Sequence, residues 1–159
     1  MSRKIAAHMA FPPIEDYGVI GNGHTAALVS SRGSIDWLCL PRFDSPSLFA
    51  RILDLERGGY WCIQPTAPFE STHTYAGETN VLETVFTCAE GRVKLIDFMD
   101  ISSERQQQHR AAPGRLIRVL AGLAGTVELV SICVPRPNYA RDMPDFTGFD
   151  AQVTFGPLT

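Results

Sequence analysis

At 159 residues and 45% apolar side chains, the sequence can bury one domain-sized hydrophobic core. Its formal charge of −3 and pI near 5.8, without any clustered Lys/Arg run, exclude a basic nucleic-acid surface and a polybasic membrane-docking segment. No apolar stretch approaches the ~20 residues of a membrane helix, and the start, Met1 to Phe11, is too short and polar for a secretory signal core. The expected partners therefore include neither nucleic acid nor membrane, and the expected location is the cytoplasm.

Strand-like runs punctuated by Gly and Pro dominate from Tyr17 onward, so an all-β fold is expected. His24–Ser30 and Ser34–Leu40 flank Ser31-Arg32-Gly33, where a left-handed Gly33 closes a tight hairpin. On the second of these strands, Ile35, Trp37 and Cys39 are expected to share a face, which makes Trp37 a candidate core anchor. Ser47–Arg57 alone has spacing that suits a short helix. A second hairpin pairs Asn80–Cys88 with Arg92–Asp100 across Ala89-Glu90-Gly91, with Leu82, Phe86 and Cys88 facing the core. Its return strand changes phase from Val93 and Leu95 to Ile96 and Phe98, which predicts a bulge at Leu95-Ile96. Ser102–Gly114 reads as an exposed polar connection. A third hairpin is expected from Leu116–Ala121 through Gly122–Gly125 into Thr126–Val134, with the same change of phase after Leu129. Ala151–Phe155 begins another alternating strand, so the sandwich is expected to be incomplete at its C-terminal end and the natural polypeptide to continue.

The run Ile14 to Asp54, which contains Gly33-Ser34-Ile35-Asp36-Trp37-Leu38-Cys39-Leu40-Pro41-Arg42-Phe43-Asp44-Ser45-Pro46, closely resembles the N-terminal domain of bacterial and archaeal glycoside hydrolase family 15 proteins. The likeness continues through Val81-Leu82-Glu83-Thr84, Leu95-Ile96-Asp97-Phe98-Met99 and Val134-Pro135-Arg136-Pro137-Asn138-Tyr139. That family includes glucoamylases, glucodextranases and trehalases. The resemblance implies an antiparallel super-sandwich, residues 14–159, preceded by an extension, 1–13, and packed on a downstream (α/α)6 barrel. It also implies inverting hydrolysis of an α-glucosidic bond by two glutamates of that barrel, so this chain alone is expected to be inactive. Asn138-Tyr139-Ala140 stands where the pattern more commonly reads Asp-Tyr-Gly.

Inverting hydrolysis needs one protonated and one ionised carboxyl at roughly 6.5–9.5 Å, and no residue of this chain is assigned such a catalytic role. Trp37, Arg42, Phe43 and Asp44 are the candidates for a substrate rim: an aromatic face suits a sugar ring, charged groups suit its hydroxyls, and Arg42 to Asp44 leave the strand after Pro41. Asp97 and Asp100, near a strand end, are expected to hydrogen-bond backbone amides. Gly21-Asn22-Gly23 reads as a tight turn rather than a phosphate loop.

The histidines at 8, 24, 73 and 109 show no i, i+4 pair, and Cys39, Cys62, Cys88 and Cys133 read as buried free thiols, so neither a metal nor a cofactor is expected. The main alternatives are a stand-alone carbohydrate-binding module using Trp37, Trp61, Tyr60 or Tyr75 as its platform, and a ligand-free scaffold. The choice among trehalose, maltooligosaccharides and dextran, and the oligomeric state, are not legible.

Overall fold

A computed structural model describes residues 11–101 and 115–142. The predicted Ser102–Gly114 connection and Ala151–Phe155 strand lie outside these residues. A 3-10 turn at Ile14–Asp16 leads into ten strands: β1 Tyr17–Gly21, β2 Ala26–Ser30, β3 Ser34–Cys39, β4 Ser47–Phe49, β5 Tyr60–Pro65, β6 Glu70–Tyr75, β7 Leu82–Thr87, β8 Gly91–Met99, β9 Leu116–Gly125 and β10 Leu129–Val134. They form two antiparallel sheets. One orders β1-β2-β3-β5-β10, with β4 also on β3, and the other orders β6-β7-β8-β9. The all-β antiparallel sandwich is thus as expected.

Both of the first two predicted hairpins are present. Gly33 closes the β2–β3 turn at φ 76°, its N–H donating to Ser30 O at 2.9 Å. A Cβ there would lie 2.3 Å from the Ile63 carbonyl, so glycine is required by contact as well as by conformation. β7 and β8 pair without a break from Leu82↔Asp97 to Thr87↔Arg92.

Four expectations are corrected. First, β8 has no bulge at Leu95-Ile96: Val93, Leu95, Asp97 and Met99 are all buried in one unbroken phase, and the register shift lies at Arg92/Val93 against β9. Second, β9 and β10 do not pair, because β9 runs on through Gly125 beside β8 while β10 crosses to pair with β5 in the other sheet. Third, Ser47–Arg57 is not a helix: Ser47–Phe49 pairs with β3, and turns follow in which Asp54 Oδ1 accepts the N–H groups of Glu56 and Arg57 at 3.0 and 2.9 Å. Fourth, Ile35 and Trp37 do not share a face. Leu28 opposes Trp37 while Val29 opposes Ile35, so Asp36 is an extra residue that bulges β3 and turns Trp37 outward.

The core forms in two clusters. Ile20, Ala27, Val29, Ile35, Leu38, Phe49, Leu82 and Met99 fill one, and Ile63, Phe86, Val93 and Leu95 the other. Phe69 meets Phe86 edge-on at 5.1 Å, and each fully buried Leu or Phe contributes about 1.5–3 kcal/mol. Between the sheets lies an ion pair. Arg118 Nε and Nη2 donate to the two Asp97 oxygens at 2.8 and 3.1 Å, and the guanidinium also donates to Trp61 O at 2.7 Å and Gly33 O at 2.8 Å. Both side chains are shut off from solvent, at 1% and 0% exposure. Asp97 is therefore structural, as expected, but its partner is an arginine side chain rather than backbone amides.

Among the described residues the four cysteines are free; Cys39 and Cys62 are buried, whereas Cys88 is half-buried and Cys133 exposed. No helix there is long and apolar enough to cross a membrane.

Replacing Arg118 by Ala strands a buried carboxylate and takes one donor from each of two carbonyls, and is expected to lower unfolding free energy by about 3–5 kcal/mol in urea titrations. A milder pH effect is expected from His73, whose Nδ1 hydrogen-bonds with Thr84 Oγ1 at 3.2 Å and whose Nε2 is buried without a partner. Burial holds its imidazole below the ordinary value, against the raising influence of Asp97 and Asp16. A depressed histidine leaves the unfolded chain to take up the proton first. Stability is therefore full above the unfolded value near 6.5 and falls below it, with a slope under about 1.4 kcal/mol per pH unit. Urea midpoints at pH 7.5 and 5.5 should differ less in a His73→Gln variant.

Candidate functional site

Among the described residues two polar surface features are tied to the β3 segment and the loop that follows it. The predicted rim residues Arg42, Phe43 and Asp44 lie together on that loop. Arg42 Nε donates to Asp44 Oδ1 at 3.0 Å, with both side chains largely in solvent. Ser45 Oγ accepts the Arg42 N–H at 3.1 Å, and the Phe43 N–H donates to His24 O at 2.9 Å, which anchors the loop to the Gly21-Asn22-Gly23 turn. That turn is formed as expected: Asn22 Oδ1 accepts the N–H groups of His24 and Thr25, each at 3.0 Å. Gly23, His24, Arg42, Phe43 and Asp44 line a shallow recess of about 210 Å³. Phe43 stands 62% exposed, and the hydrogen bond from Arg42 holds the Asp44 carboxyl below the usual range.

Trp37 is not part of this recess. Its bulged strand sets it on the outer face of the sheet, half-buried, with its ring 6.3 Å from that of Tyr139. Tyr139 belongs to the turn Pro137–Ala140, in which Asn138, Tyr139 and Ala140 all have left-handed φ of 53°, 56° and 61°. Glycine is favoured at such an angle. The departure from Asp-Tyr-Gly thus places an alanine where glycine would be unstrained. The turn is held against β4 by a 3.1 Å bond from Tyr139 N–H to Ser47 Oγ.

The second feature escaped the sequence reading. The bulge directs Asp36 into a cleft of about 280 Å³ on the outer face of the sheet, lined also by Arg32, Ser34, Arg51, Tyr60 and Gln64. Asp36 is 2% exposed. It accepts the Tyr17 hydroxyl at 2.7 Å and the Ser34 hydroxyl, while Arg51 Nη1 stands 4.0 Å away. The Arg51 guanidinium lies 4.3 Å over the Tyr60 ring. Burial, and then the bond to Asp36, push the Tyr17 phenol well above its ordinary value. Burial likewise pushes the neighbouring Cys62 thiol up to about 11. Positions 17, 36, 51 and 60 share no spacing, so only the folded chain brings them together.

The four aromatics considered as a sugar platform do not form one: Trp37 and Tyr60 share the outer face of their sheet but are engaged by separate partners, and Trp61 and Tyr75 lie elsewhere. Tyr60 sits under Arg51, Trp61 beside it on β5 faces inward beneath Arg118 at 5.1 Å, Trp37 packs on Tyr139, and the Tyr75 hydroxyl bridges to Val19 of the other sheet. Among the described residues no cluster of His, Cys, Asp and Glu is arranged to hold a metal ion.

Residues 3–149 match the family described as trehalase-like, N-terminal. The chain belongs to that family. Its curated relatives include the trehalase of Mycolicibacterium smegmatis, 36% identical over 82% of this chain and 21% of that protein. The trehalase of Mycobacterium tuberculosis is 32% identical over the same shares, and that of Thermoplasma volcanium is 34% identical over 84% of this chain and 21% of that protein. The trehalase-like domain thus spans about a fifth of the length of the curated relatives it matches. No solved structure matches it.

Tyr17→Phe deletes a hydrogen bond to a buried carboxylate and is expected to lower unfolding free energy by about 1–3 kcal/mol. Ala140→Gly relieves a left-handed alanine and is expected to raise it by up to about 1 kcal/mol. Urea denaturation of the two variants measures both.

Proposed function

We propose that this chain is the N-terminal β-sandwich domain of a trehalase-type α-glucoside hydrolase, with the catalysis supplied by a different part of the polypeptide. The supporting observation is the family match over residues 3–149, with relatives named trehalase that are about five times longer than the matched region. The chemistry of the carboxylates agrees with this. Asp97 is shut off from solvent in its pair with Arg118, and Asp36, 2% exposed in its cleft, accepts the Tyr17 and Ser34 hydroxyls. Asp44 is held by Arg42 on an exposed loop.

In this reading residues 14–159 form the domain and 1–13 its extension, and the partner is a downstream (α/α)6 barrel of the glycoside hydrolase family 15 kind. That barrel performs inverting hydrolysis in the cytoplasm without a cofactor. The loop carrying Arg42, Phe43 and Asp44 borders the substrate entrance, and Trp37, backed by Tyr139, stands on the adjoining face. Trehalose is the substrate that the relatives' names favour over maltooligosaccharides and isomaltosides.

The test is glucose release from trehalose, maltose and isomaltose by this chain and by the longer gene product. Release from trehalose by the longer protein alone is expected, with Arg42→Ala or Asp44→Ala in that protein lowering kcat/KM by roughly tenfold or more, the scale of a lost charged contact. Glucose release by the 159-residue chain alone would falsify the accessory-domain reading.

A further inference from the structure

The cleft over β3 and β5 is concave, polar and small. At about 280 Å³ it falls below the roughly 300–1,000 Å³ of sites that take drug-sized molecules, so it suits a ligand of monosaccharide size. Its charged lining residues are Asp36, Arg32 and Arg51, and two cations against one anion leave a single net positive charge. Asp36 is buried, and its two oxygens accept one hydroxyl each, from Tyr17 and Ser34. An ionised carboxylate offers about four acceptor positions, so capacity remains for another donor. The Arg51 guanidinium is steadied against the Tyr60 ring at 4.3 Å, yet its Nη1 stands 4.0 Å from Asp36, beyond hydrogen-bond reach. Its Nε is buried without a partner among the described residues. Tyr60, Cys62 and Gln64 alternate along β5 on this outer face, which brings the Gln64 amide to the same cleft.

We propose that the cleft binds a small sugar acid, a polyhydroxylated monocarboxylate of monosaccharide size. The ligand carboxylate takes the Arg51 guanidinium, whose planar fork matches two oxygens and whose donors are not spent on Asp36. A neighbouring hydroxyl donates to a remaining lone pair of Asp36, and the Gln64 amide, which both donates and accepts, holds a second hydroxyl. The charge balance selects the class. A neutral sugar leaves the guanidinium unmatched, whereas a dianion sets its second charge against the buried Asp36. One carboxylate neutralises the cleft. This site goes beyond the domain reading above and does not rest on it.

The test is isothermal titration of D-gluconate into the 159-residue chain at pH 7.5 and low salt, with D-glucose, acetate and inorganic phosphate as comparisons. Saturable binding of gluconate with Kd on the order of 1 mM or tighter is expected, and each comparison compound is expected to bind roughly tenfold or more weakly. Arg51→Gln should weaken gluconate binding by about tenfold or more, the scale of a lost charge-assisted pair. Because Arg51 also packs on Tyr60, circular dichroism checks that this variant folds, and Gln64→Leu, which keeps every charged group, gives a second reading with an expected loss of about fivefold. If Arg51→Gln does not fold, Gln64→Leu decides alone. Absence of saturation by about 20 mM gluconate overturns the proposal. Phosphate or acetate binding as tightly as gluconate reduces the site to a general anion site, and glucose doing so removes the charge argument; each result overturns it. Unchanged affinity in the folded variants places gluconate elsewhere and does the same.

Discussion

The ion pair of Asp97 and Arg118 is the constraint on which the two sheets depend. A carboxylate and a guanidinium taken out of water carry a desolvation penalty of several kcal/mol each, which is offset only when nearly every donor and acceptor is matched. Here Arg118 spends its donors on both Asp97 oxygens and on the carbonyls of Trp61 and Gly33. Asp97 and Arg118 belong to one sheet, while the two carbonyls belong to the β5 strand and the β2–β3 turn of the other. Hydrophobic contact presses the sheets together without fixing their offset. The two directional bonds from Arg118 to Trp61 O and Gly33 O do fix it, held in aim by Asp97, and they do so beside the glycine that also makes the tight turn possible.

That pair also explains why parts of the fold were hard to read. The hairpins at Gly33 and at Ala89-Glu90-Gly91 were legible because turn chemistry is local: the residues that must take unusual backbone angles announce themselves. The phase of β8 was not legible. An aspartate in an inward position looks like an interruption of the apolar pattern, and Ile96 and Phe98 on the outer face imitate a change of phase. The same ambiguity affected β10, where Ser131 and Cys133 hold the inward positions and Val130, Ile132 and Val134 the outward ones. Strands with apolar side chains on both faces carry no clear alternation, and the partner of β10 in the opposite sheet could not be inferred from its neighbour in sequence.

The candidate site was legible in part. Arg42, Phe43 and Asp44 were found together because they follow one another in a loop, and the loop position followed from Pro41. Trp37 was misjudged as inward because a one-residue bulge is silent in the sequence. The network around Asp36 draws on residues from four separate segments, and such a cluster exists only after the chain has folded.

The bulge in β3 has a bearing on how this segment tolerates change. From Ser34 to Leu38 the residues go in turn to the outer cleft, the core, the outer cleft again, the Tyr139 ring and the core. In an ordinary strand every second position is interchangeable with its neighbour two places away, so polarity alone constrains the choice. Here five adjacent positions have individual destinations, and two of them, Asp36 and Trp37, sit on the same side of the sheet in succession. Shortening the segment by one residue at Asp36 would remove the bulge and leave Ile35 and Leu38 inward and Trp37 outward, so the pairing with β2 would survive while the carboxylate at the centre of the cleft was lost.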